Sequence, residues 1–270
     1  MKTATFGKYQ SLVSERLRSR GALGTAYSRL VGFTQAPSYG RFLWFRRALR
    51  HMSRAPSQVL DAGCGCGEYS FFMAEAFPDA RIRGIDLHAD SVQKCEQARQ
   101  RAGIRNIEFA VDDLTRIDDR QAWDFIYSID VVEHIADNRA LMSRFYSALR
   151  PGGYLYIRIP SCEQDRIFPR SWVQSHEQWA EHEHVGQHFD LEGLVHCLTG
   201  CGFSIVYAAR TNGFFGKIAF ELGHVLDERS TIAYALSVPG LKALYWLDLL
   251  TGPKRRGNGI VVMAQRPPSQ

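Results

Sequence analysis

Glycine occupies every second position after an acid in the segment LDAGCGCGEYS, where Asp61 is followed by Gly63, Gly65 and Gly67. An apolar run precedes the acid and another follows the last glycine, which predicts a buried strand, a turn and a helix. Glycine lets the backbone approach a ligand closely and adopt positive φ, and a helix start offers unpaired N–H groups. The segment therefore predicts a ligand-binding loop.

The spacing disfavours three common kinds of site. A dinucleotide loop needs G-x-G-x-x-G, but the third glycine comes one residue early and Glu68 stands where that pattern needs glycine. A P-loop needs Gly-Lys followed by Ser or Thr, which this segment lacks. A zinc site at Cys64 and Cys66 would need a second pair such as Cys197 and Cys201, which fall on a different predicted helix. We expect these cysteines to fill small spaces.

Strand-like and helix-like segments alternate from residue 56 onward. The predicted strands are QVLDAG, ARIRGIDL, NIEFAVDDL, WDFIYSID, YLYIRIP, FSIVYAAR and GNGIVVMAQRP, and helices such as GEYSFFMAEAF, DSVQKCEQARQRAG and NRALMSRFYSALRPGG lie between them. This order predicts an α/β fold, a doubly wound, seven-stranded, mostly parallel sheet whose last strand is antiparallel. Ligands of such sheets bind at the carboxyl ends of the strands, where the strand order reverses.

The chain divides into four predicted parts. Helix-like apolar spacing in residues 5–20 and 41–53, interrupted by FTQAPSYGR, predicts helices before the first strand. Between the last two strands lies a long helical segment rich in aromatic residues. The parts are a basic helical N-terminal cap or lid (1–54), the core (55–212), an aromatic helical insertion (213–256), and the last strand with the tail (257–270).

The pattern Asp-x-Gly-x-Gly-x-Gly resembles motif I of the class I S-adenosylmethionine-dependent methyltransferases. Four later segments resemble further motifs of that family and occur in the same order. They are AVDDLTRI, WDFIYSIDVVEHI, LRPGGYLYIRIP and HVGQHFDLEGLVHCLTGCGF. The resemblance covers about residues 55–212 and the last strand. It implies a Rossmann-like fold, S-adenosylmethionine as the cofactor, S-adenosylhomocysteine as its product, and methyl transfer as the activity.

The resemblance also implies residue roles. The backbone at Gly63–Gly67 would hold the methionine end of the cofactor, and Asp61 would orient this loop. Asp86, nineteen residues after Gly67, would bind both ribose hydroxyls, since a carboxylate has two acceptor oxygens. Asp113, with Asp112 as the alternative, would contact the adenine amino group. The complete implied cofactor set is Asp61, Gly63, Cys64, Gly65, Gly67, Asp86, Leu87, Asp112, Asp113, Leu114, Ser128 and Ile129.

Two histidines are candidate catalytic residues, His134 in DVVEH and His184 in HEQWAEHEHVGQH. A helical turn would place Asp130, Glu133 and His134 on one side, and this element resembles the divalent-metal ligands of ubiquinone-type O-methyltransferases. The same Glu-His pair also occurs in methyltransferases without a metal, so a metal here is an alternative that we do not favour. The neighbouring histidines match no ligand spacing that we recognise; they are His176, His182 and His188.

Positive charge is concentrated at the N-terminus, where residues 1–54 hold eleven Lys or Arg and one acid, interleaved with apolar side chains. This pattern is typical of a solvated helical face, or of a surface that attracts an anionic lipid, substrate or nucleic acid. The stretch TIAYALSVPGLKALYWLDLL contains Lys242 and Asp248, which disfavours a membrane span. The start lacks the apolar region of a secretory signal. We expect a cytoplasmic protein, with peripheral contact of 1–54 with the anionic inner membrane face as an alternative.

The expected function is methyl transfer to a small-molecule, lipid-linked or glycan-linked acceptor, most readily at oxygen. Two alternatives stay open: a nicotinamide-dependent oxidoreductase, and a non-catalytic membrane-surface binding protein with the same fold. A nucleic-acid partner is not favoured, because the sequence carries no recognisable RNA-binding module. Six cysteines in 270 residues do not form the pattern of a disulfide framework, which favours a reducing compartment.

Overall fold

The computed structural model describes residues 2–169, 186, 188–252 and 254–268. Its seven strands form one sheet in the order β3-β2-β1-β4-β5-β7-β6. Strands β1 to β5 pair in parallel, and β7 runs antiparallel to both β5 and β6. The predicted fold class is therefore confirmed. The strands are β1 (Gln58–Ala62), β2 (Arg81–Asp86), β3 (Ile107–Val111), β4 (Trp123–Ile129), β5 (Leu149–Pro160), β6 (Ser204–Thr211) and β7 (Gly259–Gln265).

Helices cover both faces of this sheet. One apolar layer contains residues of α4, α5 and α6, and the other contains residues of α7 and α8. The helices are α1 (Gln10–Val13), α2 (Glu15–Arg18), α3 (Gly21–Val31), α4 (Ala36–Leu49), α5 (Glu68–Ala76), α6 (Ala89–Ala102), α7 (Asn138–Ala148), α8 (Leu191–Gly200), α9 (Phe214–Arg229) and α10 (Thr231–Leu250).

Strands β4 and β5 place their buried phenylalanine and tyrosine side chains on one face of the sheet and their buried Ile and Leu side chains on the other. On β4, Phe125 and Tyr127 belong to the layer under α4 and α5, whereas Ile126 belongs to the opposite layer. This alternation follows from the two-residue period of a strand. Strands buried on both faces read as continuous apolar runs, which is why WDFIYSI was recognisable in the sequence.

The N-terminal segment contributes to the main core. Phe6 stacks on Phe42 with ring centroids 4.0 Å apart, and Phe45 lies 5.1 Å from Tyr127 on the sheet. The sequence-based reading of FTQAPSYGR as a break was only partly right, because α4 begins at Ala36 with its proline in the first turn. Proline is tolerated there, since those N–H groups have no partner within the helix. Helix α3 was not predicted.

The predicted helical insertion consists of two antiparallel neighbours, α9 and α10, which pack on α4. The contact is close at Gly40, where a Cβ atom would lie 2.4 Å from the ring of Tyr245. Small size at this position thus lets α10 approach α4. Among the helices of the described residues, none combines the length and the apolar content required to cross a membrane.

Candidate functional site

The glycine loop lies between β1 and α5, where the strand order reverses from β1 to β4. Gly63, Gly65 and Gly67 have φ angles of 88°, 49° and 70°, in the left-handed region that glycine adopts without strain. The N–H groups of Gly63 and Cys64 both donate to the carbonyl of Ile85 at 2.9 Å. The loop is thereby fixed to the end of β2.

The three glycines are needed for different reasons. A Cβ atom on Gly63 would lie 2.3 Å from Val131 Cγ2, and one on Gly67 would lie 3.0 Å from Cys95 Sγ. These two positions are required by packing. A Cβ on Gly65 would meet nothing within 4 Å. Gly65 therefore combines a left-handed backbone with open space, as a loop needs where its backbone closely approaches a ligand.

Asp86 lies at the end of β2, directly beside this loop. Its Oδ2 accepts a hydrogen bond from Gly65 N at 2.8 Å, and its Oδ1 accepts one from His88 N at 2.9 Å. Each oxygen retains a second lone pair, since a carboxylate has about four acceptor positions. The carboxylate can thus shape the loop and still accept two hydroxyl donors. Leu87, the next residue, is 61% exposed.

The two acids after β3, Asp112 and Asp113, form hydrogen bonds with nearby residues. Asp112 N donates to the carbonyl of Asp86 at 3.1 Å, which places this turn next to the end of β2. Asp113 Oδ1 accepts from the backbone N–H and the hydroxyl of Thr115, and these bonds lower the pKa of Asp113. Leu114 follows and is buried. These residues lie beside the end of β2, on the side of that strand away from the glycine loop; contact with an adenine ring here stays a prediction.

Asp61 is buried, and its carboxylate is hydrogen-bonded to a residue of α5. Its Oδ2 accepts a hydrogen bond from the Ser70 hydroxyl at 2.6 Å, which joins the end of β1 to α5. Burial raises the pKa of Asp61 to about 7, although the bonds from Ser70 oppose this rise. Asp61 thus joins β1 to α5 directly behind the loop, and its role in orienting the loop stays a prediction.

The end of β4 closes the site on the side opposite β2. The Ser128 hydroxyl donates to the carbonyl of Ala62 at 3.0 Å, which joins β4 to the start of the glycine loop. Ile129, the last residue of β4, is partly buried against the apolar layer under α4. Both residues thus lie at the carboxyl end of the sheet, as predicted.

The two cysteine pairs that a zinc site would need lie apart in the structure. Cys64 is buried in the glycine loop and Cys66 is exposed, whereas Cys197 and Cys201 pack against the opposite face of the sheet. All six cysteines are free thiols. Within the described ranges, no group of three or more His, Cys, Asp or Glu residues is arranged to hold a metal ion.

An ion-pair cluster that sequence reasoning missed lies just beyond β4. Asp130 adopts φ of 55° and its carboxylate accepts from two arginines, Arg41 Nε on α4 at 2.6 Å and Arg158 Nη1 on β5. Its neighbour Val131 is the residue that contacts Gly63, so the cluster adjoins the glycine loop. An arginine inside the apolar strand YLYIRIP was a signal for it, since charges are almost never fully buried unless they are paired.

This cluster has more positive than negative charge. Arg158 is buried, and burial together with the charge of Arg41 lowers its pKa to about 9, so it keeps its proton at neutral pH. Arg158 Nε and the hydroxyl of Tyr245, which feels both guanidinium charges, are buried with no hydrogen-bond partner among the described residues. One carboxylate is therefore ion-paired with two guanidinium groups, and hydrogen-bonding capacity is left over. The carboxyl groups of Glu68 and Glu133 also interact with the charge of Arg41, and burial raises the pKa of each to about 7.

The segment after Asp130 forms a short turn, Val132–His134. Asp130 lies outside this turn and is paired with the arginines, so the helical turn that would have grouped the three residues of the disfavoured metal alternative does not form. Glu133 is buried, and burial raises its pKa to about 7. His134 is half-buried beside it. His176, His182 and His184 lie outside the described residues, whereas His188 is described and exposed.

A family model described as a methyltransferase domain matches residues 54–226. Phosphoethanolamine N-methyltransferase 3 of Arabidopsis thaliana is 44% identical over 176 residues, which cover 64% of this chain and 34% of that protein. Trans-aconitate 2-methyltransferase of Deinococcus radiodurans is 32% identical over 108 residues, 40% of each chain. The chain thus spans about a third of the length of its phosphoethanolamine relatives.

A solved structure extends the likeness to almost the whole chain. Haemonchus contortus phosphoethanolamine N-methyltransferase 2, in complex with phosphomonomethylethanolamine and S-adenosylhomocysteine, matches with a TM-score of 0.61 and 18% identity, covering 99% of this chain and 61% of that chain. At this identity the match shows the fold. Because the family model spans more than half of the sequence and includes the glycine loop, Asp86 and the ends of β3 and β4, the chain belongs to the class I S-adenosylmethionine-dependent methyltransferase family.

Proposed function

We propose that this chain transfers the methyl group of S-adenosylmethionine to a small-molecule acceptor that carries an anionic group. The observation that supports the cofactor assignment is the open space beside Gly65, a left-handed glycine whose N–H is bonded to Asp86. A side chain at this position would fill the space that the ligand needs. The place is also the one where open α/β sheets bind their ligands.

Each part of the site has an assigned task. The loop backbone, Gly63–Gly67, binds the methionine end, Asp86 binds the ribose hydroxyls, and Asp113 or Asp112 binds the adenine amino group beside Leu114. Bound S-adenosylmethionine would supply a methyl group made electrophilic by its sulfonium. The chain's own work is to align the acceptor and exclude water. We assign the remaining members of the proposed cofactor set to the same site; they are Asp61, Cys64, Leu87, Ser128 and Ile129.

The acceptor class follows from the charge of the ion-pair cluster. Arg41 and Arg158 share one carboxylate, that of Asp130, at the carboxyl ends of β4 and β5. A second anion would complete the pairing, and guanidinium groups bind carboxylate and phosphate oxygens well because of their forked donors. The relatives named above are called methyltransferases of phosphoethanolamine and trans-aconitate, which are both anionic.

Oxygen is the acceptor atom that we propose. The positive cluster would stabilise an ionised oxygen nucleophile. The phosphoethanolamine relatives are named N-methyltransferases, so transfer to nitrogen is the alternative that product analysis distinguishes. Glu133, with a pKa of about 7, could accept the proton of a hydroxyl acceptor near neutral pH. His134 and His184 remain our predicted catalytic residues. A lipid-linked or glycan-linked acceptor fits the same site if its anionic end reaches the arginines.

The cofactor part of the proposal is tested by calorimetry with S-adenosylhomocysteine and, in parallel, with NAD. Binding of S-adenosylhomocysteine is the expected result. Binding of NAD instead would make the protein an oxidoreductase. Methyl transfer is then measured with labelled S-adenosylmethionine on a panel of carboxylates, phosphomonoesters, neutral alcohols and amines, and mass spectrometry of the product locates the methyl group.

The acceptor part is tested with Arg41→Gln and the matched control Arg47→Gln, an exposed arginine on the same helix. Loss of a charge-assisted hydrogen bond costs about 1.5–3 kcal/mol, so Arg41→Gln should raise the KM for the acceptor by about 10- to 100-fold. Its affinity for S-adenosylhomocysteine should stay that of the wild type, as should both constants of Arg47→Gln. An unchanged KM in Arg41→Gln would remove the cluster from the acceptor site.

A further inference from the structure

The solvent-facing side of α10 is apolar along its whole length. At 1.5 Å per residue its 20 residues extend about 30 Å. Polar side chains point the other way, because Tyr234, Tyr245 and Asp248 are buried. Val238 and Leu241 are buried on that side as well, so the helix is largely apolar on both its packed and its solvent-facing sides, unlike an ordinary surface helix. Its exposed residues are Ile232, Leu236, Pro239, Gly240, Ala243, Trp246, Leu247 and Leu250.

Helix α3 extends this apolar surface. Leu23 and Leu30 on α3 are 72% and 87% exposed, compared with 79% for Leu236 on α10. Between the two helices lies an open groove of about 230 Å³, lined by apolar side chains that include Leu17 and Ile232. We call the exposed residues of α3 and α10, with this groove, the α3–α10 surface. Contiguous apolar surface of this kind marks an interaction site.

Basic residues border the α3–α10 surface. Arg16 and Arg20 line the groove, and Arg29 is exposed on α3 itself. Arg46 lies over the ring of Trp246, 5.4 Å from its centroid. Beyond the end of α10 the exposed pair at 255–256 adds two more arginines. The surface therefore combines an apolar centre, an interfacial tryptophan and a positive border, which suits the boundary of an anionic bilayer.

We propose that the α3–α10 surface docks on anionic lipid membranes, with its leucines inserted at the acyl boundary and its arginines on the head groups. The charge pattern favours lipid over a second copy of the chain. A two-fold dimer would use the same patch on both copies, and the two arginine borders would then repel each other. Asp227 at the end of α9 is paired with Arg16, so these two residues together add no net charge, and the positive border consists of the other arginines.

Sedimentation with vesicles tests the proposal. The full chain is mixed with vesicles of phosphatidylcholine alone, or of phosphatidylcholine and phosphatidylglycerol. Binding to the mixed vesicles is expected, and salt should weaken it. Arg20→Gln/Arg29→Gln should bind about 25-fold more weakly, since each basic residue at an anionic surface contributes roughly fivefold. The matched control, Arg101→Gln/Arg105→Gln on α6 and the loop before β3, should bind like the wild type.

A second variant, Leu236→Asp/Leu247→Asp, tests the apolar part. Vesicle affinity should fall at least about tenfold, because charged groups replace inserted leucines. The substituted residues are exposed, so thermal unfolding and S-adenosylhomocysteine binding should not change. Equal binding to neutral and mixed vesicles would overturn the assignment to anionic lipid. No vesicle binding by the wild type, with or without a dimer that this variant abolishes in sedimentation velocity, would overturn membrane docking.

Discussion

Replacement of Gly65 by alanine separates a structural requirement for glycine from a ligand's requirement for space. Gly65 has φ of 49°, and a Cβ there would meet nothing within 4 Å. The only cost in the free protein is therefore the left-handed backbone, about 1–2 kcal/mol for a residue with a Cβ. Gly103, at the end of α6, has φ of 67° and equally open space. Gly103→Ala should thus lose the same stability, and the thermal unfolding midpoint of each variant should fall by roughly 2–8 °C.

Cofactor affinity should distinguish the two variants. In Gly65→Ala the added methyl group would occupy the space assigned to the methionine end, and such overpacking costs about 1–3 kcal/mol. The affinity for S-adenosylhomocysteine should therefore fall by about 5- to 150-fold. Gly103→Ala adds its methyl group at a helix end outside the glycine loop and should bind with wild-type affinity. Isothermal titration calorimetry measures both, after circular dichroism has established equal secondary structure.

Two results would refute this reasoning. Wild-type affinity in Gly65→Ala would mean that the space beside Gly65 is not where the ligand approaches the loop. An equal loss of affinity in Gly103→Ala would mean that reduced stability, and not a blocked site, weakens binding. A loss of affinity for S-adenosylhomocysteine in Gly65→Ala alone would support the assignment, because neither a ligand bound elsewhere nor reduced stability would explain it.

Further predictions concern the acids and Gly63. Asp86→Ala should lower the affinity for S-adenosylhomocysteine at least about 100-fold, since two hydrogen bonds to a carboxylate are lost at about 1.5–3 kcal/mol each; unchanged affinity by calorimetry would remove Asp86 from the site. The folded-state pKa of Asp61, about 7, lies above its ordinary value of 3.8, so the folded protein retains a proton that the unfolded chain releases. Stability from this group is greatest at low pH and falls as pH rises from about 4 to 7. In urea unfolding, the wild type should lose about 2 kcal/mol relative to Asp61→Asn between pH 5 and pH 7, and a constant difference would contradict the raised pKa. Gly63→Ala should be less stable than Gly65→Ala by about 1–3 kcal/mol, because its Cβ would lie 2.3 Å from Val131 Cγ2; Val131→Ala in the same chain should recover part of that loss, and no recovery would mean that backbone strain alone is responsible.

Local features of the sequence were sufficient to predict the strands of the sheet. Its strands are apolar runs bounded by turn residues, and a run such as WDFIYSI can be buried on both faces only within a covered parallel sheet. The N-terminal boundaries were less predictable. FTQAPSYGR carries Pro and Gly and looks like a break, yet α4 runs through most of it. Proline in a first turn is compatible with a helix, and Gly40 is needed because Tyr245 packs against it.

The sequence by itself determined the order of the candidate cofactor-binding residues along the chain. An acid precedes the glycine loop, a second acid follows the loop after nineteen residues, and two further acids follow the next strand. These signals are local, because glycine in a turn and an acid at a strand end are set by the backbone around them. Only the tertiary structure joined Arg41, Asp130 and Arg158, from α4, the end of β4 and β5. It also turned the apolar side of α10 to solvent and its Asp248 inward. Both arrangements depend on which distant elements pack together, and spacing along one segment carries no record of a partner elsewhere in the chain.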